Sequence, residues 1–181
     1  MNLKKILILS SSLRNNSNSE MLAQKFYEGA KTAGNEVEFI SLKDKKIAFC
    51  KGCLACQKNF RCVIHDDADL IAQKILTAEI LVFATPIYYY GMSGQLKTML
   101  DRANPLFPTD YKFREVYLLA SAAENDEKAF TGALNGIENW LECFPKAKFA
   151  GKIFAGGVTK AGEIKNHLAL EKAFEVGKNI L

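Results

Sequence analysis

The sequence predicts a three-layer, doubly wound α/β fold: a five-stranded parallel sheet with helices on both faces. Short, nearly continuous apolar runs recur along the chain, as expected of strands buried on both sides. Between them lie stretches with apolar residues at helical spacing, so strand and helix alternate about five times. Right-handed crossovers then leave few topologies for such an alternation, and the doubly wound sheet is the one that fits. A length of 181 residues suits one domain over residues 1–181 with one core.

Lys5 to Leu9 is the first strand, and a polar loop from Ser10 to Asn18 follows it. Leu22, Phe26 and Ala30, with Ala23 and Tyr27, mark a helix that Gly34 stops. Glu36 to Leu42 alternates as a second strand, and Ile80 to Ala84 is a third. Pro86 is expected to end that ladder, and Leu96, Met99 and Leu100 mark the next helix. Val116 to Ala120 is a fourth strand, and Ala133, Ile137, Trp140 and Leu141 belong to a helix that also carries Cys143 as a small buried residue. Lys152 to Ala155 lies in a fifth strand, and Leu168 to Leu181 forms a closing helix. The stretch from about 43 to 66 is too long for a simple connection, and loops of that length are usually functional or disordered. It holds four cysteines.

Apolar residues make up 49% and charged residues 24% of the chain, the balance of an ordinary soluble domain. The N-terminal run from Ile6 to Leu9 is too short for a signal-peptide core or a membrane span, so a cytoplasmic protein with no membrane association is expected. The cysteines should then be thiols or metal ligands. The formal charge is +4, but lysines are scattered among acids, which reads as a solvated surface and not a nucleic-acid face. A mildly positive protein still favours anionic small molecules such as nucleotides.

In open α/β sheets, ligands bind beyond the carboxyl ends of the strands. There the first loop, Ser10 to Ser19, has neither the glycines of a dinucleotide fingerprint nor the Gly-Lys-Ser/Thr of an ATP-binding loop. It offers hydroxyls, amides and Arg14 at a helix start, which suits a phosphate monoester. Ser17 also reads as a helix N-cap with Glu20, and the two roles are compatible. After the third strand, Thr85-Pro86-Ile87-Tyr88-Tyr89-Tyr90-Gly91-Met92-Ser93-Gly94 places three adjacent tyrosines at the functional end. Such tyrosines suit a flat ring such as a flavin, or a subunit interface. Lys97 and Asp101 form a surface i,i+4 pair.

Ser11 to Glu20 is similar to the phosphate loop of the NADPH-dependent FMN reductase and iron–sulfur flavoprotein superfamily. Pro86 to Lys97, with Asp101-Arg102, resembles that group's second FMN loop and helix. The resemblance covers nearly the whole chain and implies a flavodoxin-like sheet ordered 2-1-3-4-5, with FMN between strands one and three. It implies that Ser12, Arg14, Ser17, Asn18 and Ser19 hold the phosphate. Thr85, Pro86, Ile87, Tyr88, Tyr89 and Gly91 would follow the ribityl chain and ring, with a third contact near Ser121. Ser11 and Leu13 stand where the family has Gly and Pro, which changes the turn and removes no donor side chain. The expected activity is NAD(P)H-dependent reduction of a small acceptor through FMN, in a homo-oligomer (dimer or tetramer). The chemistry belongs to the cofactor, so no protein acid or base is named as catalytic.

Cys50, Cys53, Cys56 and Cys62 are spaced C-x2-C-x2-C-x5-C, followed by His65, Asp66 and Asp67. Such thiolates can wrap zinc or an iron–sulfur cubane, with Lys51, Lys58 and Arg61 offsetting the charge. The pattern resembles the compact motif of iron–sulfur flavoproteins, which implies a 4Fe-4S cluster on these four cysteines and a redox-protein partner. It departs from the bacterial ferredoxin run, and similar loops occur in relatives that are FMN reductases, so cluster, zinc and no metal all remain open. A thiol-based redox sensor is a further alternative. Asp67 reads as a helix N-cap.

Overall fold

In the computed structural model, which describes residues 3–180, β1 (Lys5–Ser10) lies inside a parallel sheet. Its neighbours are β2 (Glu36–Ser41) and β3 (Ile80–Tyr88), and β5 (Glu115–Ser121) and β6 (Lys148–Ala155) continue beyond β3. The order is β2-β1-β3-β5-β6, with the two-residue β4 (Gly91–Met92) antiparallel to the end of β3. With β4 set aside, this is the expected 2-1-3-4-5 order.

Because side chains alternate across a strand, β1 feeds two cores. Leu7 and Leu9 face Leu81, Phe83 and Leu118, under α3 (Asp67–Thr77), α4 (Gly94–Arg102) and α5 (Thr131–Leu141). Ile6 and Ile8 face Val82 and Ala84, under α1 (Asn18–Thr32) and α6 (Leu168–Lys178). Helices α1 and α6 approach closely through Gly29 and Gly177. A Cβ on Gly29 would sit 2.0 Å from the Phe174 carbonyl oxygen, and one on Gly177 would sit 2.2 Å from that of Phe26.

Several expectations change. Pro86 does end the parallel ladder, pairing with Ser121 at the last step of β5, but the strand itself runs on to Tyr88. Ile87 and Tyr88 then find partners in β4, a hairpin that period counting missed because β4 is only two residues long. Helix α3 fills residues between the cysteine stretch and β3, and its N-cap is Asp66, one residue before the expected Asp67. The long insertion contains the single-turn helix α2 (Cys56–Asn59). The closing helix ends at Lys178, with Asn179 as its C-cap; Leu181, like Met1 and Asn2, lies outside the described residues. Among the described residues, no helix is long and apolar enough to cross a membrane.

Candidate functional site

At the carboxyl ends of β1, β3, β5 and β6, four loops enclose an open crevice. Ser12, Arg14, Ser17 and Asn18 line one wall; Pro86, Ile87 and Tyr88 line a second; Ser121, Ala122, Ala123, Val158 and Thr159 complete it. Two of the loops are braced beneath by buried hydroxyls. Ser11 donates to the Ala84 carbonyl at 3.0 Å, Ser93 donates to Ser11 at 2.8 Å, and the Ser93 N–H donates to the Thr85 hydroxyl at 2.9 Å. Thr85 is thus part of the brace, a fully buried residue behind the lining.

The helix that starts at the crevice is capped as its sequence requires: the Ser17 hydroxyl accepts from the Glu20 N–H at 3.3 Å. First-turn N–H groups of a helix have no intrahelical partner, so the α1 end faces the crevice with donors and a positive dipole. Arg14 spends one N–H on the Thr159 carbonyl at 2.7 Å, which leaves most of its five donors for a ligand. Asn18 is spent differently. Its amide donates to the Lys160 carbonyl at 3.0 Å and accepts from the Ile164 N–H at 3.3 Å, tying α1 to the loop after β6. Ser19 is buried against Ser17 and does not line the crevice. The Glu163 carboxylate takes the N–H groups of Lys160 and Thr159, and these bonds hold it below the usual carboxylate range.

The tyrosines form a two-residue hairpin turn. Tyr89 and Tyr90 both have positive φ (49° and 63°), where a residue other than glycine is strained by roughly 1–2 kcal/mol. What holds the turn is α5: Gly132 lies so close beneath it that a Cβ would be 2.3 Å from the Tyr90 carbonyl oxygen. Tyr88 lines the crevice, while Tyr89 and Tyr90 are exposed at the rim and Gly91 lies in β4.

The cysteine insertion is fastened by a buried ion pair. Arg102, fully buried at the end of α4, donates to both Asp66 oxygens at 2.7 and 2.8 Å, to the Ala48 carbonyl at 2.8 Å and to that of Ile64 at 3.0 Å. Asp66 also accepts from the N–H groups of Ala48 and Ala68. Burial pushes the Asp66 carboxyl up, but Arg102 and these two N–H groups outweigh it and hold it below its ordinary value. Ala48 and Ile64–Asp66, the two ends of the loop, are therefore stapled together. Within it Cys50 and Cys53 are exposed, Cys62 is half-buried, and Cys56 is buried with its sulfur accepting from the Asn104 amide at 3.1 Å. Among the described residues, no three His, Cys, Asp or Glu side chains gather where they could hold a metal ion. The cysteines as placed do not form a cluster cage. Arg61, expected to balance thiolate charge, pairs with Asp69 of α3, and His65 is exposed.

Some lining residues gave no sequence signal. Ala122, Ala123, Val158 and Thr159 are chemically bland, and only the parallel pairing of β5 with β6 brings them together. Cys143 is exposed, because α5 ends at Leu141 and the chain turns outward; it shares a cavity with Cys50.

Comparison with known proteins gives consistent relatives. The profile of the NADPH-dependent FMN reductase family matches residues 4–127. A Bacillus subtilis protein, provisionally named as an NAD(P)H-dependent FMN-containing oxidoreductase, is 31% identical over 93% of this chain and 94% of its own. An iron–sulfur flavoprotein of Methanocaldococcus jannaschii is 37% identical over 56% of this chain, which spans about half (53%) of that protein's length. Among solved structures, an NAD(P)H:quinone oxidoreductase from Methanothermobacter marburgensis superposes with a TM-score of 0.74 at 18% identity, covering 98% of this chain and 97% of that one.

Proposed function

The chain belongs to the NADPH-dependent FMN reductase family, and on that premise we propose that it oxidises NAD(P)H and reduces a small acceptor through FMN held in the crevice. The observation that carries this reading is that Arg14 and the start of α1 line the same crevice as Tyr88. The donor set fits the group. Arg14, Ser12, Ser17 and the first N–H groups of α1 would hold the phosphate by charge-assisted bonds. Pro86, Ile87 and Tyr88 would wall the flavin, while Ala122 and Ala123 leave room beside it. Bound FMN supplies hydride acceptance and onward electron transfer; the chain contributes orientation, stacking and electrostatics.

The crevice holds about 200 Å³, below the roughly 300–1,000 Å³ of typical ligand pockets. It therefore encloses part of a nucleotide and leaves the rest at the mouth. Tyr88 lines the crevice and Tyr89 and Tyr90 follow it in the same turn, all three exposed, which supports a homo-oligomer in which a second copy covers the flavin edge. A cytoplasmic location accords with the free thiols.

Arg14→Ala tests the crevice. Losing a charge-assisted contact of about 1.5–3 kcal/mol should weaken FMN about ten- to hundredfold in a fluorescence titration, with the apo-protein still folded. Unchanged affinity would remove Arg14 from the site.

A second reading, an electron carrier that passes electrons through a cysteine-bound cluster, is favoured by the stapled cysteine loop and by relatives named iron–sulfur flavoproteins. Iron, sulfide and zinc analysis of anaerobically purified protein decides it. Iron and sulfide lost together in Cys53→Ala, with FMN retained, would support the carrier. Wild-type protein carrying FMN and no metal would end that reading.

A further inference from the structure

On the far side of the phosphate loop is a second cavity that the redox reading does not use. It holds about 340 Å³, within the roughly 300–1,000 Å³ of small-molecule sites, and is lined by Leu13, Leu42, Ile47, Phe49, Lys43 and Lys45, with the start of α4 closing one side. The floor is fixed. Leu42 belongs to the core, Ile47 packs against it, and Lys46 and Asp67 exchange backbone and carboxylate bonds that anchor this stretch to α3. Above the floor the Phe49 ring is 80% exposed.

The charge is as uneven as the shape. Residues 43–66 contain six of the 24 Lys and Arg residues and two of the 20 acids, so this segment alone carries +4. That equals the formal charge of the whole chain and leaves the remainder neutral. Among the described residues neither Lys43 nor Lys45 pairs with a carboxylate; Lys43 reaches only the Asn15 side-chain oxygen. Asp66, one of the two acids, is consumed by Arg102.

We propose that this cavity binds an aromatic carboxylate, its ring between Phe49 and the Leu13–Leu42–Ile47 floor and its anion on Lys43 and Lys45. An exposed aromatic ring and aliphatic side chains lining one cavity suit a flat apolar body. Two lysines that line one cavity without a carboxylate partner suit a single anionic head, and they disfavour a neutral analogue by leaving charge uncompensated. Leu13 faces this cavity while its neighbours Ser12 and Arg14 face the crevice. The phosphate loop thus separates the two sites, and FMN and the acid bind at the same time. The inference does not depend on which acceptor the crevice serves, or on its being a reductase.

Calorimetric titration of 2-naphthoate into FMN-loaded protein is the test, with bound flavin followed by absorbance. Saturable binding is expected without loss of FMN. Lys45→Glu should weaken it at least tenfold, Phe49→Ala should weaken it several-fold, and the neutral 2-naphthalenemethanol should bind at least tenfold more weakly than the acid. Lys172→Glu, the same charge reversal on the exposed face of α6, should bind as the wild type does. The proposal is overturned if naphthoate does not bind, if Lys45→Glu and Lys172→Glu behave alike, or if naphthoate displaces FMN. Because no turnover is measured, failure of the reductase reading and failure of this one are told apart.

Discussion

Removing the Arg102 guanidinium should release the cysteine insertion while leaving the sheet intact. The side chain is fully buried and makes four hydrogen bonds, two to Asp66 and two to carbonyls at opposite ends of the loop. Arg102→Met keeps much of the apolar stem, so the change isolates the charge and its bonds. Breaking one side of a buried ion pair costs about 3–5 kcal/mol, because the partner charge is left uncompensated. Asp66 keeps the Ala48 and Ala68 N–H groups and borders solvent, which favours the lower end of that range. The penalty falls on the closed loop, so its open population should rise roughly a hundred- to several-thousandfold. Cys56 reports this directly, being buried now and reachable by alkylating reagents only when the loop lifts away from Asn104. The assay is the alkylation rate of Cys56, resolved by peptide mass spectrometry, beside exposed Cys53 as an internal reference. Arg102→Lys keeps the charge and loses the two-pronged geometry, and should fall between. Cys56 protected equally in wild type and Arg102→Met would refute the clasp.

Two further outcomes follow from close contacts and charge. Gly29→Ala should force α1 and α6 apart, since a Cβ would be 2.0 Å from a backbone oxygen; overpacking of about 1–3 kcal/mol outweighs the roughly 1 kcal/mol that alanine gains in a helix. Urea unfolding should show the loss, Gly29→Ala with Gly177→Ala should cost less than the sum of the singles, and a stabilised Gly29→Ala would contradict the packing. Asp66 has a lowered folded value, so its contribution is present above the ordinary carboxylate range near pH 4 and is lost as pH falls through the folded value. Protection of residues 49–63 against hydrogen exchange, taken relative to the intrinsic rate at each pH, should therefore fall on acidification below about pH 4 while β1 and β3 stay protected, and equal protection down to about pH 2 would refute it.

Periodicity and composition alone determined the layers, because burial on both faces of a parallel sheet leaves a local record: Ile6 to Leu9 and Ile80 to Ala84 are apolar throughout. The loop after β1 was equally legible, since Ser17, Glu20 and Arg14 announce a capped helix start beside an arginine within a few residues. Tertiary structure alone decided which of those residues line the crevice. Asn18 looks like a phosphate donor in sequence, yet its amide is consumed by Lys160 and Ile164, about 140 residues away. Ala122, Val158 and Thr159 line the crevice through strand pairing that no local pattern encodes. The cysteines show the same divide: their spacing is a sequence fact, but whether their sulfurs converge depends on where Arg102, Asp66 and Asn104 pull the loop. Arg102 and Asn104 come from α4 and the turn after it, far along the chain, and hydrogen-bond partners at such separation are fixed by the packed fold and not by neighbours in sequence.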